Sequence, residues 1–244
     1  MSSAVTLEVD LHVHSDASYD GHEPIELLLE HAADIDLDAI VITDHDVIHA
    51  SVDAAEMAAE YGLIGIPGVE ISTAQGHLLG IGIDELPPIG RPIDETIDEV
   101  RDRGGVAVVP HPFQRTRHGI RKRNLKRIDP DAIETYNSWL FTGYRNRRAR
   151  QYARRYGYPG VGGSDAHSLL TVGRAYTRLR IERSVSEISS EDVVDAIKNG
   201  ATGIVGQRAS LSRASGHYTK AAGRKTAWGA RQVAATAAGP IPFL

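Results

Sequence analysis

Two histidines and three aspartates lie within one twelve-residue stretch near the start of this chain, from Asp10 to Gly21. The histidines, His12 and His14, follow an alternating apolar run that predicts a β-strand. Residues at i and i+2 of a strand point to the same side. Two imidazoles that converge at a strand end can bind a divalent metal ion. The stretch therefore predicts one part of a metal site whose other ligands come from elsewhere in the chain.

Further histidines and carboxylates stand at the ends of other predicted strands. Short apolar runs alternate with helical patterns along the body of the chain, which is typical of an α/β fold with a parallel sheet or barrel. The residues at or just after these runs are Asp44, His45, Glu70, His111, Glu134, Asp165 and His167. His77 is the exception, because it begins its run. In such folds ligands gather at the carboxyl ends of the strands, so the pattern predicts a single site there.

The donor types restrict the chemistry of this site. Six of the eleven histidines belong to it, and the chain contains no cysteine. One histidine alone would more often be structural than a ligand, but many imidazoles and carboxylates packed together require a compensating positive charge. Nitrogen and oxygen donors suit Zn, Mn, Fe or Mg, and two such ions can hold a phosphoryl group and a hydroxide. Serine chemistry is less favoured, since neither Ser15 nor Ser164 stands in a G-x-S-x-G sequence.

Several motifs occur in the order found in a known family. They are His12-Val13-His14-Ser15 with Asp20-Gly21, Thr43-Asp44-His45-Asp46, Gly68-Val69-Glu70-Ile71-Ser72, Gly76-His77, His111-Pro112 and Gly163-Ser164-Asp165-Ala166-His167. With these motifs, residues 7–181 resemble the PHP (polymerase and histidinol phosphatase) superfamily of metal-dependent phosphoesterases. The resemblance implies an α/β fold, a distorted (β/α)7 TIM-like barrel of the PHP type. It also implies a di- or trinuclear metal centre at the strand ends.

The resemblance assigns nine residues as ligands of two or three divalent ions, which would be Mn, Zn, Fe or Mg. One ion would take His12, His14, Glu70 and Asp165, a second would share Glu70 and add His77 and His111, and a third would take Asp20, His45 and His167. Family members that end this first motif in Ser-Asp-Gly carry the acid where Tyr19 stands here. Because Tyr19 is not an acid, the neighbouring Asp20 is chosen as this ligand, with Asp16 as the alternative. Glu70, Asp165 and His167 are also the candidate catalytic residues.

Basic and aromatic residues near the motifs are candidates for substrate binding. Arg115 and Arg117 follow His111-Pro112, and guanidinium groups match phosphate oxygens, although a solvated basic loop is an equal alternative. Tyr136, Trp139 and Phe141 either stack on a base or belong to the core.

Two carboxylates and one helix are expected to have structural roles. Asp44 is expected to orient His45. Glu134 is distant from the matched motifs and is expected to be a structural carboxylate facing the arginine-rich helix. The arginines between 145 and 155 are expected to form a solvated helix face, with pairing to the acidic helix around Glu95 as a further possibility.

The charge of the chain is unevenly distributed. Six of the 27 Lys/Arg and none of the 32 acids lie in residues 207–244, which leaves a formal charge of −11 on residues 1–206. We therefore expect a PHP metal-dependent phosphoesterase domain over 1–206 and a basic C-terminal extension over 207–244. The extension is either a solvated tail or a contact for an anionic surface. No stretch reads as a signal peptide or transmembrane helix, so a cytoplasmic location is expected.

These observations predict hydrolysis of a phosphate ester, a nucleotide or other small phosphomonoester, through a metal-activated hydroxide at the di- or trinuclear centre. The alternatives are a 3'-5' exonuclease or phosphatase acting on RNA or DNA ends, and a non-catalytic PHP scaffold. A scaffold would be expected to lack some ligands, whereas all nine positions are filled. The acidic body disfavours long nucleic acid, while the basic loop and tail favour it. The sequence does not determine the oligomeric state.

Replacing His12 or Asp165 with alanine is expected to abolish turnover, because each change removes one ligand of the same ion. The measurement is hydrolysis of a phosphomonoester panel and labelled oligonucleotides by purified protein with Mn²⁺. His49→Ala, beside a motif without matching it, is the control and should keep its activity. Near wild-type rates for either ligand variant would show that the metal assignment is wrong.

Overall fold

The computed structural model describes residues 4–139, 143–184 and 187–206, in which strands and helices alternate except at two places where one strand directly follows another. The strands are β1 (Val5–Val13), β2 (Ala39–Ile42), β3 (Gly68–Thr73), β4 (Gly76–Ile81), β5 (Val106–Val109), β6 (Ala132–Asn137), β7 (Gly160–Gly163), β8 (Ala175–Ile181) and β9 (Thr202–Gly206). The helices are α1 (Ile25–Asp34), α2 (His49–Met57), α3 (Ile93–Asp102), α4 (Lys122–Leu125), α5 (Gly143–Tyr156) and α6 (Ser190–Lys198). Phe141 and the expected extension 207–244 lie outside the described residues.

The strands form two mixed sheets. One has the order β2-β1-β8-β9 and the other β3-β4-β5-β6-β7. The pairs β1/β2, β5/β6 and β6/β7 are parallel, whereas β3/β4, β4/β5, β1/β8 and β8/β9 are antiparallel. The expectation of a parallel sheet is therefore wrong for these four pairs. The ladders do not close into one barrel, and the sheets are joined by isolated bridges between Val13 and Ala166 and between His45 and Glu70.

The antiparallel direction of β4 explains the unusual position of His77. In the ladder between β3 and β4, Ser72 near the end of β3 lies opposite His77 near the start of β4. The start of β4 therefore lies at the same edge as the ends of β3 and β5. His77 therefore lies beside the residues at the strand ends, although it stands near the start of its own strand.

Apolar side chains along one face of β1 hold the body together. Leu7, Val9 and Leu11 are almost completely buried and pack in one cluster with residues of the other strands and of α6. Burying one such side chain contributes about 1.5–3 kcal/mol. The histidines at the end of this strand are therefore carried by one of the best-packed elements of the fold. In the described part of the chain, no helix combines the length and apolarity needed to cross a bilayer.

The hydroxyl of Ser51 on α2 connects two strands that carry site residues. Its Oγ donates to the Ile42 carbonyl at the end of β2, at 2.6 Å, and accepts from the Gly68 N–H at the start of β3, at 2.7 Å. The serine side chain is 1% exposed, so water cannot replace it in either bond. This bridge sets the position of β3, and with it Glu70, relative to β2.

Ser51→Ala is expected to lower the free energy of unfolding by about 1–3 kcal/mol, because it leaves a buried N–H and a buried carbonyl unsatisfied. Urea unfolding followed by circular dichroism measures the change. Asp53→Ala, an exposed position of the same helix, should change the stability by less than about 0.5 kcal/mol. Equal stabilities for the two variants would contradict the bridging role.

Candidate metal centre

One buried cluster at the strand ends brings together all nine side chains expected to bind metal. They are His12, His14, Asp20, His45, Glu70, His77, His111, Asp165 and His167. Every member is buried except Asp20, whose side chain is 27% exposed. Ring nitrogens and carboxylate oxygens from these residues form several groups whose ligand atoms lie within 4.8 Å of one another. At least one ligand comes from each of six strands, either from the strand itself or from the loop that follows it. These strands are β1, β2, β3, β4, β5 and β7.

Two ring nitrogens of the first ligand group lie close to the same two carboxylate oxygens. The Nε2 atom of His12 lies 3.3 Å from Glu70 Oε2 and 3.6 Å from Asp165 Oδ1, and the Nε2 atom of His14 lies 3.5 Å from both oxygens. Ligands at about 2.0–2.1 Å around a tetrahedral ion are themselves about 3.4 Å apart. These four nitrogen–oxygen distances are therefore close to those that a small cation would set.

Glu70 also faces a second group through its other oxygen. Its Oε1 atom lies 2.8 Å from His77 Nδ1 and 3.1 Å from His111 Nε2. Its Oε2 atom faces His12 and His14, and additionally His45 Nδ1 at 3.2 Å. The carboxylate is thus placed to bridge two neighbouring cations.

The third ligand group contains Asp20, the acid that follows Tyr19 in the first motif. The Oδ2 atom of Asp20 is 2.9 Å from His167 Nε2 and 3.3 Å from His45 Nε2. Ser18 donates its hydroxyl to the other oxygen of Asp20 at 2.9 Å, and the ring of Tyr19 stacks on His45. Asp16, the alternative, is exposed. The turn before Gly21 therefore directs Asp20 inward and Tyr19 outward.

His14 provides the observation that tests whether the cluster suits a metal. Both of its ring nitrogens are buried without a hydrogen-bond partner, and Nε2 faces two carboxylates. Burial lowers the pKa of His14 to about 4, which favours the neutral ring with a lone pair available on one nitrogen. A divalent cation would satisfy the unpartnered Nε2 atom, so the donor set fits.

The charges of the neighbouring groups lead to the same conclusion. Burial by itself would raise the pKa of Glu70 and Asp165, but His12 and the other positive and hydrogen-bonding groups around them hold both well below the usual range. Burial would lower the pKa of His12, yet Asp165, Glu70 and Glu134 raise it well above its usual value. Two buried, ionised carboxylates therefore lie beside a protonated His12. Binding of a metal ion would release the proton of that histidine.

Glu134 belongs to this centre, so the expectation that it is remote and faces the arginine-rich helix is wrong. Its Oε1 atom accepts from His12 Nδ1 at 3.1 Å, and its Oε2 atom accepts from the His111 N–H at 2.7 Å. The amide of Asn137 donates to Glu134 Oε2 at 2.9 Å and to Asp165 Oδ2 at 3.0 Å. The position of Glu134 at a predicted strand end was the sequence signal that could have assigned this residue to the centre.

Two further aspartates hold the backbone around the ligands. Asp10 is fully buried and accepts the N–H groups of Ser164 and Gly173, each at 2.9 Å, and burial raises its pKa to about 6. Asp44 accepts from the N–H and hydroxyl of Ser15, at 2.7 and 2.5 Å. The expected hydrogen bond from His45 to Asp44 is absent from the bonds of the described residues. Asp44 orients the loop that carries Asp20 instead.

The turn after β7 depends on a glycine and on an unusual backbone conformation. A Cβ atom on Gly163 would lie 2.6 Å from His12 Cβ and 2.7 Å from Glu134 Oε1, so no larger residue fits. Asp165 has a φ of 56°, in the left-handed region that few residues with a side chain adopt. Its N–H donates to the His12 carbonyl at 2.8 Å, which ties the turn to β1. Asp165 and His167 both face the cluster as a result.

The two arginines expected to bind substrate have different surroundings. Arg117 donates to both oxygens of Asp165, at 2.5 and 3.2 Å, and lies 3.3 Å from His167 Nε2. Its guanidinium also lies over the ring of Trp139, 5.4 Å from the centroid. Arg115 is exposed, and its side chain takes part in none of the hydrogen bonds or ion pairs found among the described residues. The structure therefore brings Arg117, but not Arg115, to the centre.

Comparison with known proteins identifies the family. The PHP domain model matches residues 10–146, and the PHP-associated model matches residues 143–202. The uncharacterized protein MJ0417 of Methanocaldococcus jannaschii is 30% identical, over 79% of this chain and 79% of its own length. Shorter matches link about a third of this chain to the 3',5'-nucleoside bisphosphate phosphatase of Chromobacterium violaceum and the 5'-3' exoribonuclease Rnm of Escherichia coli. They are 36% and 40% identical and cover 29% of each of those proteins.

A solved structure supports the same fold. It is a two-domain protein from Bacteroides vulgatus that contains a predicted PHP-like metal-dependent phosphoesterase, and it shares 21% identity with this chain. The superposition has a TM-score of 0.69 and covers 84% of this chain and 66% of the other. The matched domain models, which together span residues 10–202, and the near full-length relative agree with the motifs at the strand ends. The chain therefore belongs to the PHP domain family.

Proposed function

We propose that this chain is a metal-dependent phosphoesterase that hydrolyses a phosphate ester at a centre of two or three divalent ions. The observation that carries the proposal is the position of Glu70, whose two carboxylate oxygens face two different groups of histidines. Relatives with this domain are named as a phosphatase and an exoribonuclease, both hydrolases of phosphoester bonds. The candidate catalytic residues are Glu70, Asp165 and His167. A distorted (β/α)7 arrangement of the PHP type is part of this proposal, because the ligands come from the ends or starts of six strands and from the loops beyond them.

Bound divalent ions would lower the pKa of water and neutralise charge on the phosphoryl oxygens. His12, His14, Glu70 and Asp165 would hold one ion, and His77 and His111 would join Glu70 around a second. Asp20, His45 and His167 would hold a third. The donors are all imidazole or carboxylate, so Mn, Zn, Fe and Mg are the candidate metals.

Arg117 is the group of this chain placed to contact the substrate itself. The Nδ1 atom of His167 donates to the Asp165 carbonyl at 2.8 Å, which directs Nε2 towards Asp20 and Arg117. This edge of the centre is its more open side, because Asp20 and Arg117 are part-exposed. Arg117 is positioned here to contact a phosphate oxygen, next to the Nε2 atom of His167, which would bind the third ion.

The surroundings exclude water from most of the centre. His12, His14, Glu70, His111 and Asp165 are at most 2% exposed. Among the described residues at the centre, Asp20 and Arg117 are the more exposed side chains, so their side is the proposed entrance for the ester and the attacking water. Trp139 is 45% exposed there, which leaves room for the organic part of an ester such as a nucleotide. An alternative substrate is the end of an RNA or DNA strand.

Purified wild-type protein is expected to contain bound divalent metal and to hydrolyse phosphate esters when it is supplied with Mn²⁺, Zn²⁺ or Mg²⁺. Metal content is measured by mass spectrometry after dialysis. Turnover is measured on a panel of phosphomonoesters, phosphodiesters and labelled oligonucleotides. Chelation should remove the activity, and added metal should restore it. Fewer than one bound ion per chain under metal-replete conditions would contradict the proposal, and would favour a non-catalytic scaffold.

Glu134→Gln is expected to weaken metal binding about 10- to 100-fold, because the carboxylate that orients His12 Nδ1 loses its charge. Competition with a fluorescent chelator measures the affinity independently of turnover. Glu30→Gln, an exposed position on α1, is the control with the same chemical change. Equal affinities for the two variants would show that Glu134 does not position the ligand.

A further inference from the structure

Nearly half of the basic residues of this chain lie in two short segments. Residues 115–127 and 143–156 contain 13 of the 27 Lys/Arg and no Asp or Glu. The remainder of residues 1–206 contains eight Lys/Arg and all 32 acids. The first segment contains α4 and the second is α5, so we name their combined surface the α4–α5 basic face.

Five exposed cations of this face form no ion pair within the part of the chain that the structure describes. Lys122, Arg123, Lys126, Arg150 and Arg154 are exposed and take part in none of its ion pairs. The alternative considered for α5, pairing with the acidic helix α3, is not among the ion pairs of the described residues. The acids of α3 instead pair with Arg91, Arg101 and Arg103. Clustered like charges repel one another, so this surface is suited to an external polyanion.

The basic face is connected directly to the metal centre. The side chain of Asn146 on α5 donates to the Asn137 carbonyl at 2.9 Å and accepts from its N–H at 3.2 Å. Asn137 in turn donates to Asp165 at 3.0 Å. At the other end of α5, the hydroxyl of Tyr152 donates to the Leu125 carbonyl of α4 at 3.1 Å. A chain of direct contacts therefore runs from α4 through α5 to a candidate metal ligand.

Two exposed aromatic rings flank the open side of the centre. Trp139, which precedes α5, is 45% exposed and its ring lies 5.1 Å from that of His167. Tyr19 is 79% exposed and stacks on His45 at 4.9 Å. Proteins that bind single strands combine a basic track for the backbone with aromatic rings on which bases stack. Both components are present here, and Arg117 of the first basic segment lies over the Trp139 ring, 5.4 Å from its centroid.

We infer that the substrate class is single-stranded nucleic acid, with its backbone along the α4–α5 basic face and bases stacked on Trp139 and Tyr19. The inference rests on the proposed phosphoesterase activity and specifies its leaving group. Hydrolysis would add water across one P–O ester bond, so that one product carries the phosphate and the other a hydroxyl group. An anionic membrane would match the charge of the face, but it would make no use of stacking rings beside a buried centre.

The test compares two variants of the full chain that each lose two positive charges. Lys122→Gln with Arg150→Gln alters the basic face, and Arg180→Gln with Lys198→Gln alters exposed positions elsewhere. Binding to a fluorescent, phosphorothioate-linked 20-mer in Mn²⁺ is measured by anisotropy over a range of salt concentrations. The face variant should bind about tenfold more weakly, and its salt slope should be shallower by roughly 0.7 for each lost phosphate contact. The control should bind like wild type.

Stacking is tested separately with Trp139. Trp139→Ala should weaken single-strand binding by about fivefold or more, and Trp139→Phe should restore much of it, because a smaller ring still stacks. Equal binding by Trp139→Ala and wild type would overturn the stacking part of the inference.

The outcomes also separate this inference from the proposed activity. Wild-type hydrolysis of bis-p-nitrophenyl phosphate establishes the activity, and the ratio of oligonucleotide to bis-p-nitrophenyl phosphate hydrolysis should fall about tenfold in the face variant. Unchanged oligonucleotide binding by the face variant overturns the inference even if both substrates are hydrolysed. It is also overturned, in favour of a membrane, if the face variant loses binding only to phosphatidylserine vesicles. A wild-type protein that binds the 20-mer but hydrolyses neither substrate contradicts the activity while supporting the surface.

Discussion

The structure depends on one buried carboxylate. Glu70 is 1% exposed, and ring nitrogens of five histidines lie within 3.5 Å of its oxygens, those of His12, His14, His45, His77 and His111. An ionised carboxylate in such a position is costly unless positive charge surrounds it. Burial of Asp165 and Glu134 beside it adds further negative charge. The demand for cations at this point explains why so many strands end in imidazole groups.

The strands meet this demand through their directions and through a well-packed support. Parallel pairs bring the ends of β1, β2, β5, β6 and β7 to the same side of the fold, and the antiparallel β4 contributes its start. Asp10, Ser51 and Glu134 then fix the loops by accepting or donating backbone hydrogen bonds. The polar network and the apolar core are thus continuous, so a change in either is expected to alter the metal centre.

Basic residues are concentrated in two segments of the chain, and the buried carboxylates are concentrated at the strand ends. The metal ligands and their supports concentrate negative charge in the interior, whereas α4 and α5 present unpaired positive charge outside it. Arg117 lies between the two regions, in contact with Asp165, His167 and Trp139. A phosphate ester at this boundary would meet both a cationic side chain and the open edge of the centre.

The sequence by itself determined the donors, because histidine and carboxylate types at successive strand ends and ordered motifs are local properties. It also identified the strand–helix alternation and Asp20 as the preferred acid. Only the tertiary structure decided that Glu134 supports His12, that Asp44 binds Ser15, and that Arg117 rather than Arg115 reaches the centre. These contacts join residues up to 122 positions apart. They depend on strand direction and on side-chain orientation, neither of which is encoded in the spacing of residues along the chain.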